Sequence, residues 1–321
     1  MSDFVDSDGN TMAASASWRL PVAAQFNLGA TVRLLQRRPK NPIDRWENGF
    51  WLRTIRTPGG LRLAAVTNAG SIDSPDLRLD LYGGGVMDET ERAIDSSVRW
   101  MLGLDVDPAP TDWLVEMEPR FAPVAAALRG FRPPCFPGLW QTCLAVLPFQ
   151  QLSLDAGIAI LGRLVERFSP PLLLGGRSCF DFPTPEIIAD ASPAALSGAG
   201  LSRAKTTALQ SLARHAIAGD LDASRFLFLP TEEALTALQS LPGIGPWSAA
   251  VLLLRGLRRM DVFPPGDTGT ARNLTALLGR SALLTPAETS AFAARFGDRQ
   301  GYLYFIFLGN RLMTDSAAST A

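Results

Sequence analysis

The stretch Leu241-Pro242-Gly243-Ile244-Gly245-Pro246-Trp247, followed by an apolar run and, twenty residues past the tryptophan, by Asp267, limits what this chain can become more than any other segment. Two glycines in a turn between helices let backbone N–H groups point outward together, as a phosphate oxygen requires. Upstream, Thr231 is placed to cap a helix whose Ala234, Leu235 and Leu238 follow helical spacing into Leu241. Downstream, Pro246 suits the first turn of a second helix, Trp247 to Arg255, and Gly256 is placed to end it. The pattern predicts a helix-hairpin-helix over 231–256, in which Gly243, Ile244 and Gly245 grip a nucleic-acid backbone without reading its bases.

Around that hairpin the chain reads as α+β first and all-α afterwards. Phe50 to Arg56 and Leu61 to Val66 alternate like strands across the turn Thr57-Pro58-Gly59-Gly60, and Leu77 to Leu81 reads as a third. Asp88 with Glu91 makes a capping box for a helix whose Ile94, Val98, Met101 and Leu102 share one face. The Pro- and Asp-rich stretch Asp105 to Asp112 suggests a boundary, giving an α+β domain over 18–110 and helical domains over 111–312. Disordered tails are expected at 1–17 and 313–321. Helix starts are marked by Thr184-Pro185, Ser192-Pro193 and Thr285-Pro286, the last with Glu288 as a capping box. Gln141 to Phe168 predicts one or two buried helices, and Tyr302 to Leu308 a core helix.

A chain of 321 residues that is 47% hydrophobic buries substantial cores, yet no apolar run approaches a membrane span. The acidic, polar start Met1-Ser2-Asp3-Phe4-Val5-Asp6 is unlike a secretory signal, so a soluble cytoplasmic protein is expected. Cys135, Cys143 and Cys179 have no paired ligand spacing, which indicates neither a disulfide framework nor a zinc or iron–sulfur site. The formal charge of −1 and pI near 6.0 give no global attraction to a polyanion. Locally, Leu201 to Arg280 holds nine basic residues against six acidic ones, and Arg272 lies in that stretch as a candidate DNA contact.

Leu-Pro-Gly-Ile-Gly-Pro-Trp-Ser-Ala, then Leu254-Arg255-Gly256 and Asp261-Val262-Phe263-Pro264-Pro265-Gly266-Asp267, resembles the helix-hairpin-helix (HhH-GPD) DNA glycosylases, the DNA-3-methyladenine glycosylase II branch in particular. The likeness extends back through Gly200-Leu201-Ser202-Arg203-Ala204-Lys205 and Phe182-Pro183-Thr184-Pro185 to Gln150-Gln151-Leu152-Ser153. It implies a mainly α fold, in which helical glycosylase domains follow a small antiparallel sheet with a helix. It also implies base excision repair on double-stranded DNA containing a damaged base, an alkylated purine, at the nucleoid; one lesion per protein suggests a monomer.

Cleaving an N-glycosidic bond leaves positive charge on the sugar, so one nearby carboxylate stabilises the transition state and orients the attacking water. The resemblance gives that role to Asp267, whose setting after Pro-Pro-Gly and before Thr-Gly-Thr is also that of a helix N-cap. The two roles agree, because a helix N-terminus favours negative charge. Asp261 ranks second, in the connecting segment. Relatives that also cut the strand carry a lysine where this chain has Trp247, and its only lysines are Lys40 and Lys205. A monofunctional enzyme that leaves an abasic site follows.

Trp247 also matches a base-pocket aromatic suited to cationic purines, whereas Ala30, Val251 and Arg299 replace the other pocket aromatics. An arginine there repels a cationic base unless it points elsewhere. Phe149, Tyr302, Tyr304 and Trp140 are read as core, and His215, the only histidine, as structural. Gln151 matches the wedge that fills the gap left by the flipped nucleotide. The carbonyls of Gln239, Leu241 and Ile244 match those holding a monovalent or calcium-type cation, with no cofactor required and no iron–sulfur cluster. The altered pocket leaves two alternatives: a noncatalytic DNA-structure binder, or an oxidised- or deaminated-base glycosylase.

Overall fold

The computed structural model describes residues 12–23, 25–84, 88–109 and 111–320. The chain opens with β1 (Ala16–Leu20), α1 (Leu28–Gln36), β2 (Asp44–Glu47), β3 (Phe50–Thr57), β4 (Gly60–Asn68), β5 (Leu77–Tyr82) and α2 (Asp88–Leu102). The strands form one antiparallel sheet in the order β1-β5-β4-β3-β2. Thr57 pairs with Gly60, so Pro58-Gly59 is the whole turn of the expected hairpin.

Period-two alternation explains why β3 is buried on both faces. Trp51 and Ile55 join the main core, while Phe50 and Leu52 meet Leu63, Ala65, Tyr82 and Cys179 in a second, smaller cluster. That second face is covered by a hairpin of β6 (Leu172–Leu174) and β7 (Arg177–Cys179). At the main-core face a charged pair is sealed in: Arg53 Nη1 donates to Asp44 Oδ2 at 3.0 Å across the β2–β3 ladder, with both side chains 1% exposed.

Helices make up the remainder: α3 (Thr111–Met117), α4 (Ala122–Ala127), α5 (Leu139–Val146), α6 (Leu154–Phe168), α7 (Pro185–Asp190), α8 (Pro193–Gly198), α9 (Arg203–Ile217), α10 (Thr231–Gln239), α11 (Pro246–Leu257), α12 (Thr268–Leu277), α13 (Pro286–Ala294) and α14 (Gly301–Thr320). The sheet region is not packed separately from them. One hydrophobic core runs from Leu20 through Ala30, Leu34 and Val251 to Leu312, and Arg255 Nη2 on α11 donates to the Leu34 carbonyl on α1 at 2.7 Å.

Several expectations need correction. β1 begins at Ala16, inside the segment read as a tail, and β2, β6 and β7 carried no clear strand pattern. α14 continues through 313–320, also read as tail, because nothing helix-breaking follows Met313. Pro230, not Thr231, is the N-cap of α10, and the Thr231 hydroxyl instead donates to Asp261. Gly256 lies within α11: a Cβ there would stand 2.7 Å from Leu139 Cδ2 and 2.9 Å from Thr142 Oγ1, so the glycine serves close packing on α5. The helix ends instead with Arg258 in a left-handed conformation. Thr184 makes no side-chain cap bond, whereas Ser192 caps α8 and Thr285 with Glu288 forms the expected box. The Asp88 side chain, residue 110 of the proposed boundary, and tail residues 1–11 and 321 lie outside the described residues.

Candidate active site

The hairpin is built as its sequence requires. Leu241 and Ile244 are buried and anchor the turn, while Gly243 and Gly245 are exposed. Gly243 has φ +79°, and a Cβ there would stand 2.5 Å from Ala208 Cβ on α9, so only glycine satisfies both backbone and contact. Around Gly245 nothing lies within 4 Å of where a Cβ would stand. Gly245 caps α11 with Pro246 in its first turn, and the first helical bond runs from the Ala249 N–H to the Gly245 carbonyl at 2.9 Å. The N–H groups ahead of it have no partner within the helix.

At the far end of the connecting segment, Asp267 is the N-cap of α12, its Oδ1 accepting the Thr270 N–H at 2.7 Å. Its other oxygen, Oδ2, accepts the indole Nε1–H of Trp247 at 2.9 Å. Both residues are half-buried. The carboxylate is thus oriented by two neutral donors and makes no ion pair among the described residues. Asp261 is engaged differently: Arg259 Nη2 and Nε donate to it at 2.8 and 2.9 Å, and Thr231 donates as well. The Arg259 guanidinium holds the Asp261 carboxyl below its usual range, and a carboxylate so neutralised is a poor stabiliser of a second cation.

The remaining candidates fall into three groups. Gln151 is exposed at the tip of the α5–α6 loop, and Arg272 is exposed on α12, just past Asp267. Val251 and Ala30 are buried in the main core and do not face an open site, because the α1 and α11 surfaces that carry them pack inward. Arg299 is exposed, with its guanidinium over the Trp113 ring at 4.9 Å from the centroid. Trp140 and Tyr304 are core, and Phe149 and Tyr302 are half-buried. His215 pairs with Asp220 at 2.8 Å. Of the basic stretch, Arg255, Arg258, Arg259 and Lys205 bond to protein carbonyls or Asp261, Arg225 is exposed but paired with Asp220, and Arg203, Arg214, Arg272 and Arg280 are exposed. The three cysteines are buried and free, and burial pushes the Cys143 thiol up to about 12. No group of His, Cys, Asp and Glu able to hold a metal occurs among the described residues.

Sequence reasoning missed the Trp247–Asp267 bond, the Thr270 donor and the contacts of Gln150 and Lys205. The Thr270 donor is a backbone N–H, so its signal is the N-cap setting of Asp267 and not the threonine side chain.

Residues 144–297, which contain the loop, the hairpin and Asp267, match the family model described as HhH-GPD superfamily base excision DNA repair protein. Over those residues the chain is similar to the HhH-GPD superfamily. A Mycobacterium tuberculosis relative, "Probable bifunctional transcriptional activator/DNA repair enzyme AlkA", is 29% identical over 260 residues, covering 80% of this chain and 50% of the relative. The chain therefore spans about half the length of that relative. The Escherichia coli "DNA-3-methyladenine glycosylase 2" is 35% identical over 123 residues, covering 38% of this chain and 40% of that protein. The overall fold is similar to that of the solved Archaeoglobus fulgidus 3-methyladenine DNA-glycosylase, with a TM-score of 0.77 at 22% identity over 92% of this chain and 98% of that one. No helix among the described residues is long and apolar enough to cross a membrane.

Proposed function

We propose that this chain is a monofunctional DNA glycosylase of base excision repair. It binds double-stranded DNA, extrudes a damaged base and hydrolyses its N-glycosidic bond to leave an abasic site. The observation that carries this is the half-buried Asp267 carboxylate, fixed by Trp247 and Thr270 but not neutralised, beside a turn with free N–H groups. As the base departs with the bonding electrons, positive charge develops on the sugar, and a carboxylate without its own cation is free to stabilise it. Water then bonds to the sugar carbon and gives its proton to Asp267 or solvent.

Strand cleavage through a Schiff base needs an amine at position 247, where this chain has an indole. The names of the relatives support alkylated purines as the substrate class. Arg299 lies over Trp113, which answers the objection that it would repel a cationic base. The carbonyls of Gln239, Leu241 and Ile244 are proposed to hold a monovalent or calcium-type cation. They lie at the C-terminal end of α10 and in the turn after it; the Leu241 carbonyl accepts the Ile244 N–H at 3.2 Å and keeps a second lone pair, and a hard cation suits such oxygens. One lesion per molecule fits action as a monomer, in the cytoplasm on the nucleoid.

The buried Ala30 and Val251 favour a second reading, a pocket altered for oxidised or deaminated bases or lost altogether in a noncatalytic binder. Incubating the protein with alkylated, deaminated and oxidised duplexes and assaying free base separates these. Release from the alkylated duplex is expected, and release from none of them would contradict enzymatic function.

A further inference from the structure

Gln151 has φ +57°, a left-handed backbone that is costly for a non-glycine residue and persists only where its surroundings enforce it. Here the N-terminal flank of the tip is tied down on two sides. Gln150 Nε2 donates to the Gly243 carbonyl at 3.0 Å and to Ser248 Oγ at 2.9 Å, joining the loop to the hairpin turn and the first turn of α11. Lys205 Nζ, from the first turn of α9, donates to the carbonyls of Gln150 at 2.7 Å and Pro148 at 3.3 Å. One turn further along α9, Ala208 is the residue against which Gly243 seats. Helix α9 thus supports the hairpin through Ala208 and the loop through Lys205, while Gln150 bridges the two.

Stability alone is a weak reason for the lysine. Its ammonium has no carboxylate partner among the described residues, and desolvation lowers its pKa, so the charge is held at a cost against neutral carbonyls. What the arrangement does achieve is a fixed spacing between the phosphate-gripping turn and the exposed tip.

We propose that Gln150 and Lys205 are positioning residues for base extrusion, locking the Gln151 tip to the hairpin so that seating a DNA backbone on Gly243–Gly245 drives the tip into the base stack. The role rests on the glycosylase reading, and it assigns these residues to extrusion, not to bond cleavage.

The test uses the full chain and a duplex containing ethenoadenine, an alkylated purine whose fluorescence rises when it leaves the stack. In Lys205→Met and Gln150→Leu the fluorescence gain on binding is expected to fall on the order of tenfold or more. Base release from the paired lesion falls with it, while release from the same lesion in an unpaired bubble stays near wild type. Lys205→Arg, which keeps a cationic donor, restores part of the signal. Undiminished fluorescence in both variants, or equal loss on paired and unpaired lesions, overturns the proposal. Should Lys205→Met fail to fold, Gln150→Leu in the surface loop carries the test. The fluorescence arm needs no cleavage, so it still reads the proposal if the wild type releases no base, which would count against the glycosylase reading alone.

Discussion

Asp44 in the sheet and Asp267 beside the hairpin each accept a hydrogen bond from a tryptophan indole, Trp51 Nε1 at 3.2 Å and Trp247 Nε1 at 2.9 Å. Their remaining partners differ in charge. Asp44 is 1% exposed and takes its second bond from the Arg53 guanidinium, which also reaches Asp181 at 3.5 Å. Asp267 is half-buried and takes its second bond from a backbone N–H. A guanidinium cancels the charge it binds and lets a carboxylate be sealed in a core, whereas neutral donors fix a carboxylate and leave its field intact. The first arrangement holds a sheet together, and the second suits a group that must meet a developing cation.

Substitutions at these two sites should separate along that line. Asp267→Asn keeps the cap, since asparagine caps as well as aspartate, but removes the charge. Base release should fall on the order of a thousandfold, with duplex affinity and thermal stability near wild type. Arg53→Met should do the reverse. It leaves Asp44 and Asp181 buried without their cation at a cost of roughly 3–5 kcal/mol in denaturant unfolding, while base release per folded molecule is unchanged. A loss below about 1 kcal/mol would show that the buried pair contributes little.

Trp247→Phe removes only the indole donor and should slow release about tenfold, because Asp267 keeps its Thr270 bond but loses part of its orientation. A parallel loss of duplex affinity would assign the tryptophan to DNA binding instead. The smallest effect is expected far from both sites: Thr285→Ala breaks the capping box of α13 and should lower stability by about 1 kcal/mol with no change in release.

Much of this contrast is legible in the sequence, and the illegible part has physical causes. Strands β3, β4 and β5 show in their alternation, and Asp267 reads as an N-cap because the turn residues before it and the threonine after it are local signals. Strand β2 does not show, because three of its four residues are charged and its buried Asp44 is permitted only by Arg53, nine residues away. Gly256 reads as a helix stop, since glycine usually ends helices, yet close approach to Leu139 and Thr142 requires it in mid-helix. The same limit applies to the site. Twenty residues separate Trp247 from Asp267, and only the path of α11 and the connecting segment turns that spacing into a hydrogen bond. Lys205 and Gln150 escaped notice for a related reason: apart from the Ser248 hydroxyl, their partners are backbone carbonyls, which no residue type announces.

The most direct measurement compares duplexes carrying two abasic-site analogues, a cationic pyrrolidine that mimics the sugar cation and a neutral tetrahydrofuran of the same shape. An unneutralised Asp267 predicts that the wild-type protein binds the cationic duplex at least about tenfold more tightly, and that Asp267→Asn abolishes the preference. Equal wild-type affinities, or a preference that survives the substitution, would contradict it.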